Sequence, residues 1–78
     1  ERVSLLVNIV KIKHYQAKTG EMAFVSADDE SGMLDLVVLP NQYRKFNNLL
    51  VKNKVILIEG RMDKPQSFVV DMISDIEV

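Results

Sequence analysis

The chain is 78 residues long, with ten Lys+Arg against eleven Asp+Glu, a formal net charge of −1 and no cysteine. That length supports one domain with one small core, and it excludes a large catalytic cleft between lobes. The missing cysteine excludes a disulfide framework, a thiolate metal site and a cysteine nucleophile, while near-neutrality excludes a strongly basic nucleic-acid binder but leaves room for a local basic patch.

The chain opens on Glu1 and runs directly into an apolar segment, as expected of a piece of a longer protein. Val3–Val10 holds Ser4 and Asn8 and has no small-residue cleavage site, so it does not read as a signal peptide. No run of 18 apolar residues occurs, and the expectation is a cytoplasmic protein with no membrane contact.

Val3–Ile12 is rich in Val, Ile and Leu on both pleat faces, which predicts a first strand covered on both sides for part of its length. Lys13–Glu21 is polar, contains Thr19-Gly20 and predicts a loop. Met22–Asp28 predicts a second strand. Asp29-Glu30-Ser31-Gly32 is turn chemistry, and Met33–Leu39 completes a hairpin. Pro40 stops the ladder because it has no N–H to donate. In Asn41–Val51, Tyr43, Phe46 and Leu50 recur at spacings of three and four, which predicts a helix of about three turns. Lys54–Met62 predicts a fourth strand, Asp63-Lys64-Pro65-Gln66 a turn, and Ser67–Ile76 a fifth strand.

The predicted order is β-β-β-α-β-β. Five strands with one short helix between the third and fourth is the order of the OB-fold, an all-β, partly open Greek-key barrel. Strand facing follows from period two. Asp35 does not belong in a small core, so Met33, Asp35 and Val37 face out and Leu34, Leu36 and Val38 face in. On strand two, Ala23, Val25 and Ala27 suit a tight interior. That leaves Met22 and Phe24 exposed beside Val37.

Two readings of an exposed Phe24 stay open. It is an ordinary surface apolar residue, or one covered by a neighbouring domain. Alternatively it is a platform on which a base stacks, since this OB-fold face binds single strands. Lys11, Lys13 and Lys18 lie in an acid-free stretch with His14 and Tyr15, and Arg61 and Lys64 lie near the other loop. Cations beside rings suit phosphates and bases respectively, although lysines in a loop are also simply solvated. Arg44, Lys45, Lys52 and Lys54 read as a solubilising surface. Asp28, Asp29, Glu30 and Asp35 lack calcium-loop spacing, so neither a metal nor another cofactor is expected. One histidine, no nucleophile-elbow serine and no glycine-rich phosphate loop leave no catalytic constellation. The expectation is a segment that binds rather than catalyses.

The quoted residues are similar to a known family. Lys18-Thr19-Gly20-Glu21-Met22-Ala23-Phe24-Val25, then Asp28-Asp29-Glu30-Ser31-Gly32 and Leu36-Val37-Val38-Leu39-Pro40, resemble the OB domain of bacterial DNA polymerase III alpha subunits. That family has a Lys/Gly loop leading into a "MAF" strand, a "(E/D)DE(T/S)G" turn and a "VVVFP" strand. A helix with an early tyrosine follows, here Tyr43, and an "EGR/KGR" strand end, here Glu59-Gly60-Arg61. The resemblance runs from Leu5 to Ile76 and is strongest toward the Gram-positive replicative polymerases. It implies an accessory domain that binds the single-stranded template, with the polymerase carboxylates in another domain of a DNA-directed DNA polymerase. Implied partners are single-stranded DNA, the other polymerase domains, and the sliding clamp or further replisome subunits. Residue by residue, the resemblance implies binding roles for Phe24, for Lys11, Lys13 and Lys18, and for Arg61; Met22, Val37, Tyr15 and Lys64, from the facing and charge pattern, complete the expected nucleic-acid-binding set. The first strand ends in Lys11-Ile12-Lys13-His14-Tyr15 rather than an arginine-rich run, and the last turn is nearly neutral; both imply weak binding by this domain alone. Two alternatives stand beside this: a protein-docking or spacer module of the replisome, and the anticodon-binding OB domain of a class II aminoacyl-tRNA synthetase, which shares the phenylalanine strand, acidic turn and Val-Val strand.

Overall fold

The computed structural model describes residues 2–64 and 67–76. Its elements are β1 (Val3–Ala17), β2 (Gly20–Asp29), β3 (Gly32–Val38), α1 (Pro40–Phe46), a 3-10 turn (Asn47–Leu49), β4 (Val55–Lys64) and β5 (Ser67–Asp75). The strands close into a barrel in the order β1-β2-β3-β5-β4. All neighbours are antiparallel except β3 and β5, which run parallel from Asp35↔Ser67 to Val37↔Val69. The barrel is therefore closed, not partly open, and β5 is not an edge: Asp71 meets Arg2 at 3.6 Å and Asp75 meets Lys54 at 3.0 Å.

The interior follows the predicted facing. Ala23, Val25 and Ala27 of β2 and Leu34, Leu36 and Val38 of β3 are buried, with Val7, Ile9, Ile56, Ile58, Phe68, Val70 and Ile73 completing the core. Ala23 and Ala27 leave room on their side of the barrel, and Phe68 is the largest fully buried side chain. Among the described residues no polar or charged side chain is buried.

Three register shifts bend the strands as the ring closes. In β1 the register shifts between Ile9 and Lys11, where the strand passes from pairing with β4 to pairing with β2. There the Ile9 N–H donates to the Lys54 carbonyl at 2.9 Å, and the Asn53 N–H donates to the Ile9 carbonyl at 2.7 Å. Asn53 reaches that position with φ 70°, a left-handed conformation that asparagine tolerates better than most residues. In β4 one shift falls between Glu59 and Gly60 and a second between Met62 and Lys64. A Cβ on Gly60 would lie 2.0 Å from the Val69 carbonyl oxygen and 2.9 Å from Phe68 Cε1, so only glycine permits this approach of β4 to β5.

The structure corrects several predicted boundaries. The expected loop Lys13–Glu21 is mostly strand: β1 and β2 pair out to Ala17↔Gly20, leaving Lys18-Thr19 as the turn. This hairpin is exposed along most of its outer half, so it needs no apolar alternation and its polar sequence masks it. The helix starts on Pro40 but is α-helical only to Phe46. The Asn47 amide donates to the Tyr43 carbonyl at 3.0 Å and the Arg44 carbonyl at 3.4 Å, and this competition with the backbone tightens the end into a 3-10 turn. Tyr43, Phe46 and Leu49 still pack on the core. Asp63 and Lys64 belong to β4 rather than a turn; Pro65 and Gln66, the rest of that predicted turn, lie outside the described residues. Finally, β1 and β4 are not covered on both faces. Leu6 is 54% exposed and sits directly across from the exposed Leu57 on the outer surface.

Candidate nucleic-acid interface

Barrel closure aligns residues that are far apart in the chain. Directly paired strand residues share a face. Following the ladders from β1, Lys13 pairs with Phe24, Phe24 with Val37, Val37 with Val69, and Val69 with Arg61. One outward row thus crosses all five strands, with a cation at each end and an aromatic and apolar centre. The adjacent row is polar: Lys11, Ser26, Asp35, Ser67 and the backbone of Lys64.

The middle of the two rows forms the floor of a groove of about 590 Å³, lined by Lys13, Tyr15, Phe24, Ser26, Asp35, Val37 and Ser67. Tyr15 is 56% exposed and Phe24 42% exposed. Their rings meet edge to face, with centroids 6.1 Å apart and planes at 61°. Exposed rings held in this way offer flat apolar surfaces without blocking their own faces.

Of the residues predicted from sequence, Lys13, Tyr15, Phe24 and Val37 meet in the groove. Lys11 lies on the same outer surface in the second row, and Lys18 is exposed at the hairpin tip. Arg61 ends the first row but lies in a separate cleft of about 160 Å³ with Met62, Asp63 and Val69. Met22 is a correction. It lies on the outer surface as predicted, yet it is only 8% exposed. Its cross-strand partner is Tyr15, and that large neighbour occupies the surface beside it. The Lys64 side chain lies outside the described residues. Ser26, Asp35, Ser67 and Val69 complete the surface and were not singled out from sequence. The outward facing of Asp35 and Ser26 was legible from period two; the β5 residues required the parallel β3–β5 pairing.

On the other surface of the hairpin, His14 is on a strand rather than in a loop. Its Nδ1 lies 3.1 Å from Tyr43 Oη and 3.7 Å from Glu21 Oε2, and the two rings meet nearly perpendicularly, 5.8 Å apart. The cluster fastens α1 to the β1–β2 hairpin. Burial first, then the Glu21 charge and a hydrogen bond to it, raise the Tyr43 phenol above its usual value.

The acidic β2–β3 turn is built by local bonds. The Ser31 N–H and the Ser31 hydroxyl each donate to Asp29 Oδ1 at 2.8 Å, and these bonds hold the Asp29 carboxyl below its usual range. Among the described residues no three His, Asp or Glu side chains gather as a metal site requires, and no helix is long and apolar enough to cross a membrane.

Comparison with known proteins agrees with this geometry. The tRNA anticodon-type family model described as "OB-fold nucleic acid binding domain" matches residues 3–76. The DNA polymerase III subunit alpha of Staphylococcus aureus is 38% identical over 60 residues, which is 76% of this chain and 6% of the relative. That of Bacillus subtilis is 32% identical over 78 residues, 99% of this chain and 7% of the relative. The chain therefore spans only a small part of the curated relatives it matches. No solved structure matches it.

Proposed function

This chain belongs to the family of OB-fold nucleic acid binding domains, and on that premise we propose that its outer groove binds single-stranded DNA, as the template-gripping accessory domain of a DNA polymerase III alpha subunit. The row Lys13–Phe24–Val37–Val69–Arg61 carries the reading. A single strand presents a line of phosphates and a series of π-faces. A surface with cations at its ends and an exposed aromatic pair between them meets both needs. At the usual strand spacing the row covers roughly 19 Å of sheet, enough for a short run of nucleotides. The similarity to two polymerase alpha subunits supports DNA over RNA.

The opposite surface supports a place inside a larger chain. Leu6 and Leu57 are paired and exposed there, with Val55 two residues along β4 and also exposed. The relatives are more than ten times longer than this chain, and the apolar strip suits packing against another domain of the same polymerase.

The test is a titration with a fluorescein-labelled oligo-dT, followed by anisotropy and by per-residue amide shifts. The reading expects shifts confined to β1–β3 and β5 around Lys13, Phe24 and Val37, and an affinity that falls as salt rises. Unmoved β2 and β3 resonances would overturn it. Stronger binding of a folded RNA loop would favour the anticodon-type alternative instead.

A further inference from the structure

Asp35 is out of place in a groove that only tracks phosphates. Its carboxylate is exposed in the floor of the groove, where it repels a phosphodiester. Among the described residues nothing neutralises it: it forms none of the ion pairs, which join Arg2 to Asp71, His14 to Glu21 and Lys54 to Asp75. Among the described residues it forms no side-chain hydrogen bond either, in contrast to Asp29 in the neighbouring turn. Its ladder partners are Ser26 on one side and Ser67 on the other, so a hydroxyl flanks it on both strands.

The position relative to Phe24 gives this arrangement a use. Phe24 pairs with Val37, and Asp35 is two residues back along β3 on the same face. That makes Asp35 the diagonal neighbour of Phe24, roughly 7–8 Å away. A base stacked on the Phe24 ring can turn its Watson–Crick edge toward that neighbour. In a single strand this edge is unpaired and open to reading.

Resting on the single-strand reading above, we propose that Asp35, with Ser26 and Ser67 beside it, selects guanine at the nucleotide stacked on Phe24. The Watson–Crick edge of guanine presents one acceptor, O6, followed by two adjacent donors, N1–H and the N2 amino group. A carboxylate accepts both donors in a bidentate pair, and a serine hydroxyl donates to O6. Cytosine and adenine each offer one amino group beside a ring nitrogen acceptor, which faces the second carboxylate oxygen unfavourably. Thymine offers one N–H between two carbonyl oxygens and is the poorest partner. The same carboxylate keeps phosphates off the centre of the groove and leaves them to Lys13 and Arg61 at the ends of the first row.

The test compares labelled oligo-dT with the same strand carrying one central dG, dC or deoxyinosine, titrated against the wild-type chain and the Asp35→Asn and Asp35→Ala variants. The wild type is expected to bind the dG strand about fivefold or more tighter than oligo-dT, with deoxyinosine, which lacks the 2-amino group, falling between. Both variants are expected to lose that preference while binding oligo-dT as well as or better than the wild type, because a repulsive charge is gone. Amide spectra of the variants check that the barrel is intact. Equal wild-type affinity for the dG and dT strands, or a dG preference that survives in both variants, overturns the proposal and leaves the single-strand reading standing. Binding to none of the strands overturns the single-strand reading itself.

Discussion

The Tyr15 ring meets the Phe24 ring edge to face across the β1–β2 hairpin, with centroids 6.1 Å apart. The contact fixes the orientation of both rings while 56% of Tyr15 and 42% of Phe24 remain exposed. Phe24→Ala is therefore expected to weaken oligonucleotide binding by about tenfold or more, given ~1–3 kcal/mol per stacked base. Neither ring belongs to the core cluster, so the melting temperature should barely move. Anisotropy titration and thermal denaturation measured on the same preparation separate the two effects; a large loss of stability with unchanged affinity would assign Phe24 to packing instead.

Lys13 ends the first row on β1, exposed and outside every ion pair among the described residues. If it meets a phosphate, Lys13→Ala should lower affinity similarly for all base compositions. It should also flatten the plot of log affinity against log salt by about 0.7, the contribution of one phosphate on a single strand. An unchanged slope removes Lys13 from the interface.

Gly60 is required by the fold rather than by the ligand. A Cβ there would lie 2.0 Å from a backbone oxygen of Val69, and no side-chain rotation relieves that contact. Gly60→Ala should destabilise the barrel by about 3 kcal/mol, near the upper end for overpacking. Gly32→Ala is the instructive comparison. A Cβ at Gly32 meets nothing within 4 Å, so its cost comes only from a φ of +132°. Urea denaturation of both variants ranks them, with Gly60→Ala expected to be the less stable.

The Tyr43 phenol titrates above its ordinary value of 10.0, with burial the largest cause and the Glu21 charge the next. A raised pKa in the folded state favours the neutral phenol. The associated stability is present below the ordinary tyrosine value and is lost as pH rises through the folded value. Glu21→Gln should move the titration back toward 10.0, as followed by carbon-13 shifts of the labelled ring; no movement would exclude the Glu21 contact.

Asp29 behaves in the opposite sense. Its carboxyl is held low chiefly by the Ser31 hydroxyl and then by the Ser31 backbone N–H. The contribution is present above the ordinary aspartate range and disappears as pH falls through the depressed folded value. Ser31→Ala removes the leading cause and should raise the Asp29 titration, read from its side-chain carbonyl shift, while the backbone bond keeps part of the depression.

The residues differ in how much of this they disclosed in advance. Leu34, Leu36 and Val38 alternate with Asp35 and Val37, so the inward and outward faces of β3 were readable from one charged residue. Ala23, Val25 and Ala27 disclosed the interior of β2 in the same way. The outer half of the hairpin did not, because a ribbon solvated on both sides carries no alternation. Met22 is covered although the strand period puts it on the outer face, because that period reports which face a residue is on, not how large its neighbour is. Ser67 could not be assigned to the groove, nor Val69 to the first row, since their place depends on a parallel pairing between segments separated by the helix and a whole strand. The outward facing of Asp35 is readable from the strand period, but that it forms no ion pair among the described residues is a property of three dimensions.

The short parallel ladder from Asp35↔Ser67 to Val37↔Val69 has a kinetic consequence. Every other ladder joins strands in antiparallel pairs, and β1–β2 and β2–β3 are local hairpins that can zip from their turns. This one is a seam that closes only after the intervening helix and β4 have been traversed, so its closure carries more loop entropy than either hairpin. Lys13 and Arg61 belong to one row only when the seam is shut. An open-seam intermediate would keep Tyr15 beside Phe24 yet lose the far cation, so the grip on a strand would mature in two stages as the chain folds.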